Sequence, residues 1–214
     1  MTLVDLPPVA GGLGTPQAPG PLDELALVER ARTDGDAFAQ LYRLYLPRIH
    51  AFAYRRSRSR EVAEDVTAAT FEQALRSLPC FEWKGGGFGP WLFRIAANEL
   101  VDHYRTEQRT RGRRANRPLG RLEALPTAAG FDEVDEAAGA GRLLTCLSTL
   151  NPRYQKAISL RYLAGLSPAE AAEAMGITKP VLAVTLHRAL AALRRALEKD
   201  DGVVRRRAMN EEER

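Results

Sequence analysis

Cysteine is nearly absent: the 214 residues hold only Cys80 and Cys146. Thiols so far apart in sequence write neither a CxxC metal pair nor a disulfide ladder, and they favour a reducing, cytosolic compartment. Histidine is equally scarce. His50, His103 and His187 stand on separate segments without a ligand spacing such as HExxH, so neither a metal site nor a cofactor is expected. No 18-residue uncharged apolar run occurs, and membrane insertion is therefore not expected. Strand alternation is missing as well, which leaves an all-α class built from two small helical domains. The first 20 residues, rich in proline and glycine and without a basic amino-terminal region, read as a disordered leader.

Enzymatic chemistry has little to stand on. The adjacent pairs Glu64–Asp65 and Asp102–His103 would point about 100° apart on a helix, so neither converges on one substrate atom. A non-enzymatic protein is expected.

Charge is present but uneven. The formal net charge is only +4, yet seven arginines fall between Arg105 and Arg121, while Asp132, Glu133, Asp135 and Glu136 cluster shortly after. Periodicity dissolves between Gly112 and Gly139. The division is therefore a leader over 1–21, a first domain over 22–112, a flexible linker over 113–139, a second domain over 140–199 and a charged tail over 200–214.

In the first domain, a helix from Leu22 ends at Thr33-Asp34-Gly35, after which Asp36 is placed to cap a second helix. That helix carries Phe38, Leu41, Tyr42, Tyr45, Ile49, Phe52 and Ala53 on one stripe, and Pro47 is expected to kink or break it. A third helix spans about Arg60 to Leu78. Val62, Val66 and Ala69 share one side, Phe71, Leu75 and Leu78 another, and Glu61, Asp65, Glu72 and Arg76 form a narrow polar arc with Gln73 beside it. The segment "CFEWKGGGFGP" is a loop, and Pro90 is well placed to begin a fourth helix that runs to about Gln108.

That fourth helix groups Trp91, Arg94, Asn98, Asp102 and Arg105 in one arc, against Leu92, Phe93, Ala96, Ala97, Leu100 and Tyr104. A tryptophan on the polar side can stack on an unpaired base beside arginines that hold phosphates; it can equally pack under a loop. The preceding loop supplies Phe81, Trp83, Lys84 and Phe88 among glycines, and this favours the first reading.

The second domain divides into four helices at Asn151-Pro152, Gly165-Leu166 and Gly176. "SPAEAAEAMGITKPVLAVTLHRALAALRR" has a helix-turn-helix layout, with Ser167 as cap, Pro168 in the first turn, Glu170 closing a capping box and Gly176 at the turn. Ile177, Leu182, Leu186, Leu190 and Leu193 face the core. Thr178, Lys179, Val181, Val184, Thr185, Arg188 and Arg195 face outward, where the valines suit thymine methyls and the arginines phosphates. A second protein domain packing on those valines is the competing explanation.

These segments resemble, in order, the extracytoplasmic-function (ECF) group of the bacterial sigma-70 family. "FAQLYRLYLPRIHAFAYRR", "EVAEDVTAATFEQALRSL" and "FGPWLFRIAANELVDHYR" are similar to successive parts of its region 2, and the segment from Leu147 to Arg195 is similar to its region 4. The resemblance covers about Asp36 to Ala196 apart from the linker.

It implies an initiation factor that binds core RNA polymerase through its β and β′ subunits. The helix bearing Glu61, Asp65, Glu72, Gln73 and Arg76 would dock on the β′ coiled coil. The glycine-rich loop and the Trp91 to Arg105 face would recognise and open the promoter −10 element, with Asn98 in the position of the family's "IARN" asparagine. The linker would thread toward the polymerase active site, where its acids either mimic nucleic-acid charge or serve as an acidic spacer. An anti-sigma factor is a further partner that the resemblance allows. Two stretches depart from the family pattern: "KPVLAVTLHRA" stands where "GTVKSRLHRA" is common, and the loop carries a triple glycine.

Two other functions compete. A stand-alone helix-turn-helix regulator would use the first domain as a sensor, which leaves the acidic third helix and the aromatic loop without a role. A helical adaptor would tolerate loss of the arginines.

Overall fold

A computed structural model describes residues 21–83, 86–114 and 131–212; Lys84 lies outside the described residues, as do the proposed leader up to residue 20 and most of the linker. Among the described residues eight α-helices form in this order: α1 (Pro21–Ala31), α2 (Gly35–Ser57), α3 (Arg60–Ser77), α4 (Phe88–Arg114), α5 (Phe131–Thr149), α6 (Pro152–Ile158), α7 (Pro168–Ala174) and α8 (Lys179–Glu212). A 3-10 turn, Leu78–Cys80, follows α3, and a π turn, Ser159–Leu163, continues α6. Among the described residues there is no strand, so the all-α expectation holds.

Local chemistry sets most boundaries. The cap of α2 is Asp34 rather than Asp36: its backbone is extended and its carboxylate accepts the Asp36 N–H at 2.9 Å. Hydrogen bonding from that amide also holds the Asp34 carboxyl below the usual carboxylate range, with Arg30 assisting. Pro47 does not break α2. Pro47 and Arg43, whose carbonyl loses its intrahelical donor, both lie on the exposed side, where water can serve that carbonyl. Ser59 caps α3 by accepting from the Val62 N–H.

Helices α1 to α4 close around Val28, Leu41, Ile49, Phe52, Leu92 and Phe93, all essentially without solvent exposure. The buried stripe of α3 is single and broad, carrying Ala63, Val66, Thr67, Thr70, Phe71 and Ala74. Thr67 and Thr70 enter it because each hydroxyl donates to the carbonyl one turn back, at 2.6 Å. Leu75, expected inside, is 53% exposed.

The second domain has its own small cluster, Cys146, Leu147, Ile158, Ala189 and Leu193. Its helix α6, the π turn and α7 also pack on α2 and α4, so that Ala157, Leu160, Leu166 and Leu182 join the first domain's core. Two segments expected to lie outside the domains are helical. Residues 131–139, read as linker, form the start of α5, and α8 continues through the expected tail to Glu212.

Candidate nucleic-acid and polymerase interfaces

On α3 the polar arc forms as expected. Glu61, Asp65, Glu72 and Arg76 are exposed, Glu72 pairs with Arg76 at 3.0 Å, and the partly buried Gln73 donates to Ser77 Oγ at 2.8 Å. Exposed ion pairs of this kind add little stability, so the arc is free to exchange partners. Leu75 adds an apolar side chain beside it. The acidic field reaches α4, where Glu99 has its carboxyl pushed up, first by burial and then by Asp102 and Glu72, against the opposing pull of Arg76.

The aromatic loop divides differently from expectation. Phe81 is 4% exposed and Phe88 is fully buried, their rings 5.8 Å apart in an edge-on contact, so both belong to the core and neither faces a nucleic acid. Two apolar rings with no polar handle fill the space between α1, α2 and α4 at no desolvation cost. Arg32 fixes the loop by donating to the carbonyls of Pro79 and Phe81. Gly87 precedes α4 with φ +84, and a Cβ on Gly89 would stand 3.2 Å from the Tyr45 hydroxyl; these two glycines are therefore structural.

Trp91 is half-buried and rests on Phe81 and Phe88, with ring centroids 4.9 and 5.2 Å away. Trp83 is half-buried against Phe81. Arg94 and Arg105 are exposed and Asn98 is partly buried, so the structure does bring Trp91, Arg94, Asn98 and Arg105 onto one face of α4. Arg105 reaches Asp102 at 3.4 Å.

That face looks onto the second domain. A cleft of about 420 Å³ is bounded by Phe81, Trp91 and Arg94 on one side and by Glu173, Gly176 and Thr178 on the other. A neighbouring cleft of about 510 Å³ sets Arg94 and Asn98 opposite Arg153, Lys156 and Met175. Sequence periodicity gave no signal for these residues, because α7 is only two turns long and its apposition to α4 is a tertiary event.

The helix-turn-helix follows its sequence closely. Ser167 and Glu170 form the reciprocal capping box, and Gly176 takes φ +65. On α8, Val181, Val184, Arg188 and Arg195 are exposed, as are Thr178 and Lys179 before them. Thr185 is not: it is 5% exposed and its hydroxyl donates to the Val181 carbonyl at 2.7 Å. The inward positions are Leu182, Thr185, Leu186, Ala189 and Leu193, which displaces Leu190 to the outside. A threonine that satisfies its own hydroxyl against the helix backbone can occupy a core position that periodicity reserves for leucine. Asn151, the cap of α6, and Arg153 and Tyr154 within it line a groove with Val181, Val184 and Arg188 and extend the candidate DNA face beyond α8.

Among the described residues no group of three or more His, Cys, Asp or Glu side chains could hold a metal ion, and no helix is long and apolar enough to cross a membrane. Cys80 and Cys146 are free thiols.

The Sigma-70 region 2 model matches residues 41–110 and the Sigma-70, region 4 model matches residues 140–193. The chain is 35% identical over 181 residues to the ECF RNA polymerase sigma factor BldN of Streptomyces coelicolor, covering 82% of this chain and 66% of that protein. It is 33% identical over 172 residues to the RNA polymerase sigma factor CarQ of Myxococcus xanthus, covering 79% and 95%. Among solved structures, CnrH in complex with the cytosolic domain of CnrY shares the fold, with a TM-score of 0.54 at 23% identity, covering 83% of this chain and 98% of that one. The paired family matches, in the order region 2 then region 4, together with the CarQ relationship, show that the chain belongs to the sigma-70 family of RNA polymerase sigma factors, in its ECF group.

Proposed function

We propose that the chain is a promoter-specificity subunit whose two faces on the first domain divide the work. The acidic arc of α3 docks on core RNA polymerase, with Glu61, Asp65 and Glu72 meeting basic residues of the β′ subunit and Leu75 giving an apolar contact at the centre. Complementary charge of this sort steers association as well as fixing its register. Trp91, Arg94, Asn98 and Arg105 on α4 take the opened −10 strand, the indole stacking on a base and the arginines holding phosphates.

The second domain contacts upstream duplex DNA and the β subunit. Its outward face offers Val181 and Val184 for methyl contacts, and Thr178, Lys179, Arg153, Arg188 and Arg195 chiefly for the phosphate backbone. Sequence discrimination there is correspondingly weak. Polymerase and promoter DNA place the protein's work in the cytoplasm. An anti-sigma factor, as the family resemblance allows, would be the partner that withholds it.

The observation that carries this reading is the presence on one four-helix domain of an acidic exposed face on α3 and an aromatic-basic face on α4. A stand-alone regulator has no use for the first. Permanganate footprinting of a cognate promoter with reconstituted holoenzyme tests the reading: reactive thymines at the −10 element are expected, and DNA binding without melting would overturn it.

A further inference from the structure

The face of α4 assigned to DNA is also the face against which the second domain rests. Met175, at the end of α7, is half-buried and lines one cleft with Arg94, Ala97 and Asn98. Glu173 of α7 lines the other cleft with Trp91 and Arg94, and a Cβ placed on Gly86 would overlap its carboxylate. An anionic side chain therefore shares one cleft with an aromatic ring and a guanidinium, a combination that a phosphate at a base-stacking site would also present.

The seam between the domains has a second unusual feature. Arg56, at the end of α2, is 2% exposed, stacked 4.2 Å from the Tyr104 ring centroid, and has no carboxylate partner among the described ion pairs. Its Nη2 donates to Gln155 Oε1 of α6 at 3.3 Å, while its Nη1 has no hydrogen-bond partner among the described residues. The adjacent Arg55 donates to the carbonyl of Leu163 in the π turn. A guanidinium shut away from water with a single long hydrogen bond opposes closure, because opening the seam returns it to solvent.

We propose that this closed pairing is a self-masked state: α7 covers the DNA face of α4, Glu173 occupies the place of a phosphate, and the unpaired Arg56 keeps the seam weak enough to open. The inference rests on the reading of the α4 face as the −10 strand site. Opening exposes Trp91, Arg94 and Asn98 together, so strand binding and domain separation are one equilibrium. The apparent affinity for DNA is then the intrinsic affinity reduced by the fraction of molecules open.

Trp91, one of the chain's two tryptophans, lines this seam, which makes intrinsic fluorescence a direct reporter. The full-length protein, Met175→Asp, Glu173→Gln and Arg56→Met are compared by acrylamide quenching and by binding of a fluorescein-labelled single-stranded 20-mer of mixed sequence, with helical circular dichroism confirming that each is folded. Met175→Asp adds a negative charge, so electrostatics alone would weaken its oligonucleotide binding; the proposal expects the reverse, stronger quenching with about five-fold tighter binding. Glu173→Gln should move both readouts the same way by a smaller amount. Arg56→Met should lower quenching and weaken binding. Equal quenching and equal affinity across folded variants would overturn the mask. Quenching that responds while no variant binds the oligonucleotide would retain the closed pairing but overturn its role in hiding a DNA site, and with it the assignment of the α4 face. Greater opening in Arg56→Met would overturn the part given to Arg56.

Discussion

The indole of Trp91 lies over Phe81, ring centroids 4.9 Å apart and tilted by 58°, so that a buried ring supports a half-exposed one. This pairing separates two roles that a list of loop aromatics would merge. Phe88→Ala should behave as a core truncation, costing about 3–5 kcal/mol in unfolding free energy by denaturant titration. Trp91→Ala should lose less stability, because the indole is already partly in water, and should abolish thymine reactivity to permanganate at the −10 element. Its affinity for core polymerase should stay unchanged. Arg105→Ala should give the same loss of opening with no core defect, since Arg105 is exposed and its ion pair with Asp102, at 3.4 Å, is a surface one.

Charge reversal on α3 should produce the opposite pattern. Asp65→Lys or Glu72→Lys should weaken binding to core polymerase, with the loss shrinking as salt rises, because exposed charges are screened beyond about 10 Å at 0.1 M ionic strength. Thermal stability should be nearly unaffected. Fluorescence anisotropy of labelled protein against core enzyme measures the effect, and unaltered affinity would show that the docking face lies elsewhere.

On α8 the structure distinguishes neighbours. Arg188→Ala should weaken duplex binding about equally across sequences and reduce the slope of log affinity against log salt by about 1. Thr185→Val should leave that slope alone, because the Thr185 hydroxyl is spent on the Val181 carbonyl and does not reach DNA. Titrations of an upstream promoter duplex at several salt concentrations compare the two.

The capping box gives a test of fold alone. Ser167→Ala removes the acceptor for the Glu170 N–H and should cost about 1 kcal/mol without altering polymerase affinity through α3.

Much of this was legible in the sequence, and the exceptions share a cause. The order of helices, the Ser167 cap, the Gly176 turn and the α4 arc follow from local spacing and local chemistry. Thr67, Thr70 and Thr185 were missed as interior residues because each hides its hydroxyl by bonding one turn back, which hydropathy patterns do not register. Phe81 and Phe88 look like exposed loop aromatics until their rings are seen packed on each other and under Trp91. The contact of α7 with α4 could not be read at all: it joins segments some eighty residues apart, and neither carries a periodic signal for the other.

The central claim is that this chain confers promoter-specific initiation on core RNA polymerase. Runoff transcription from a template carrying its mapped promoter, with purified core enzyme plus or minus the protein, tests it most directly. A discrete runoff product that appears only with the protein, and that fails with Trp91→Ala although the variant still co-purifies with core, is the predicted result. Transcription that is equal with and without the protein, despite binding of the same DNA, would contradict the account.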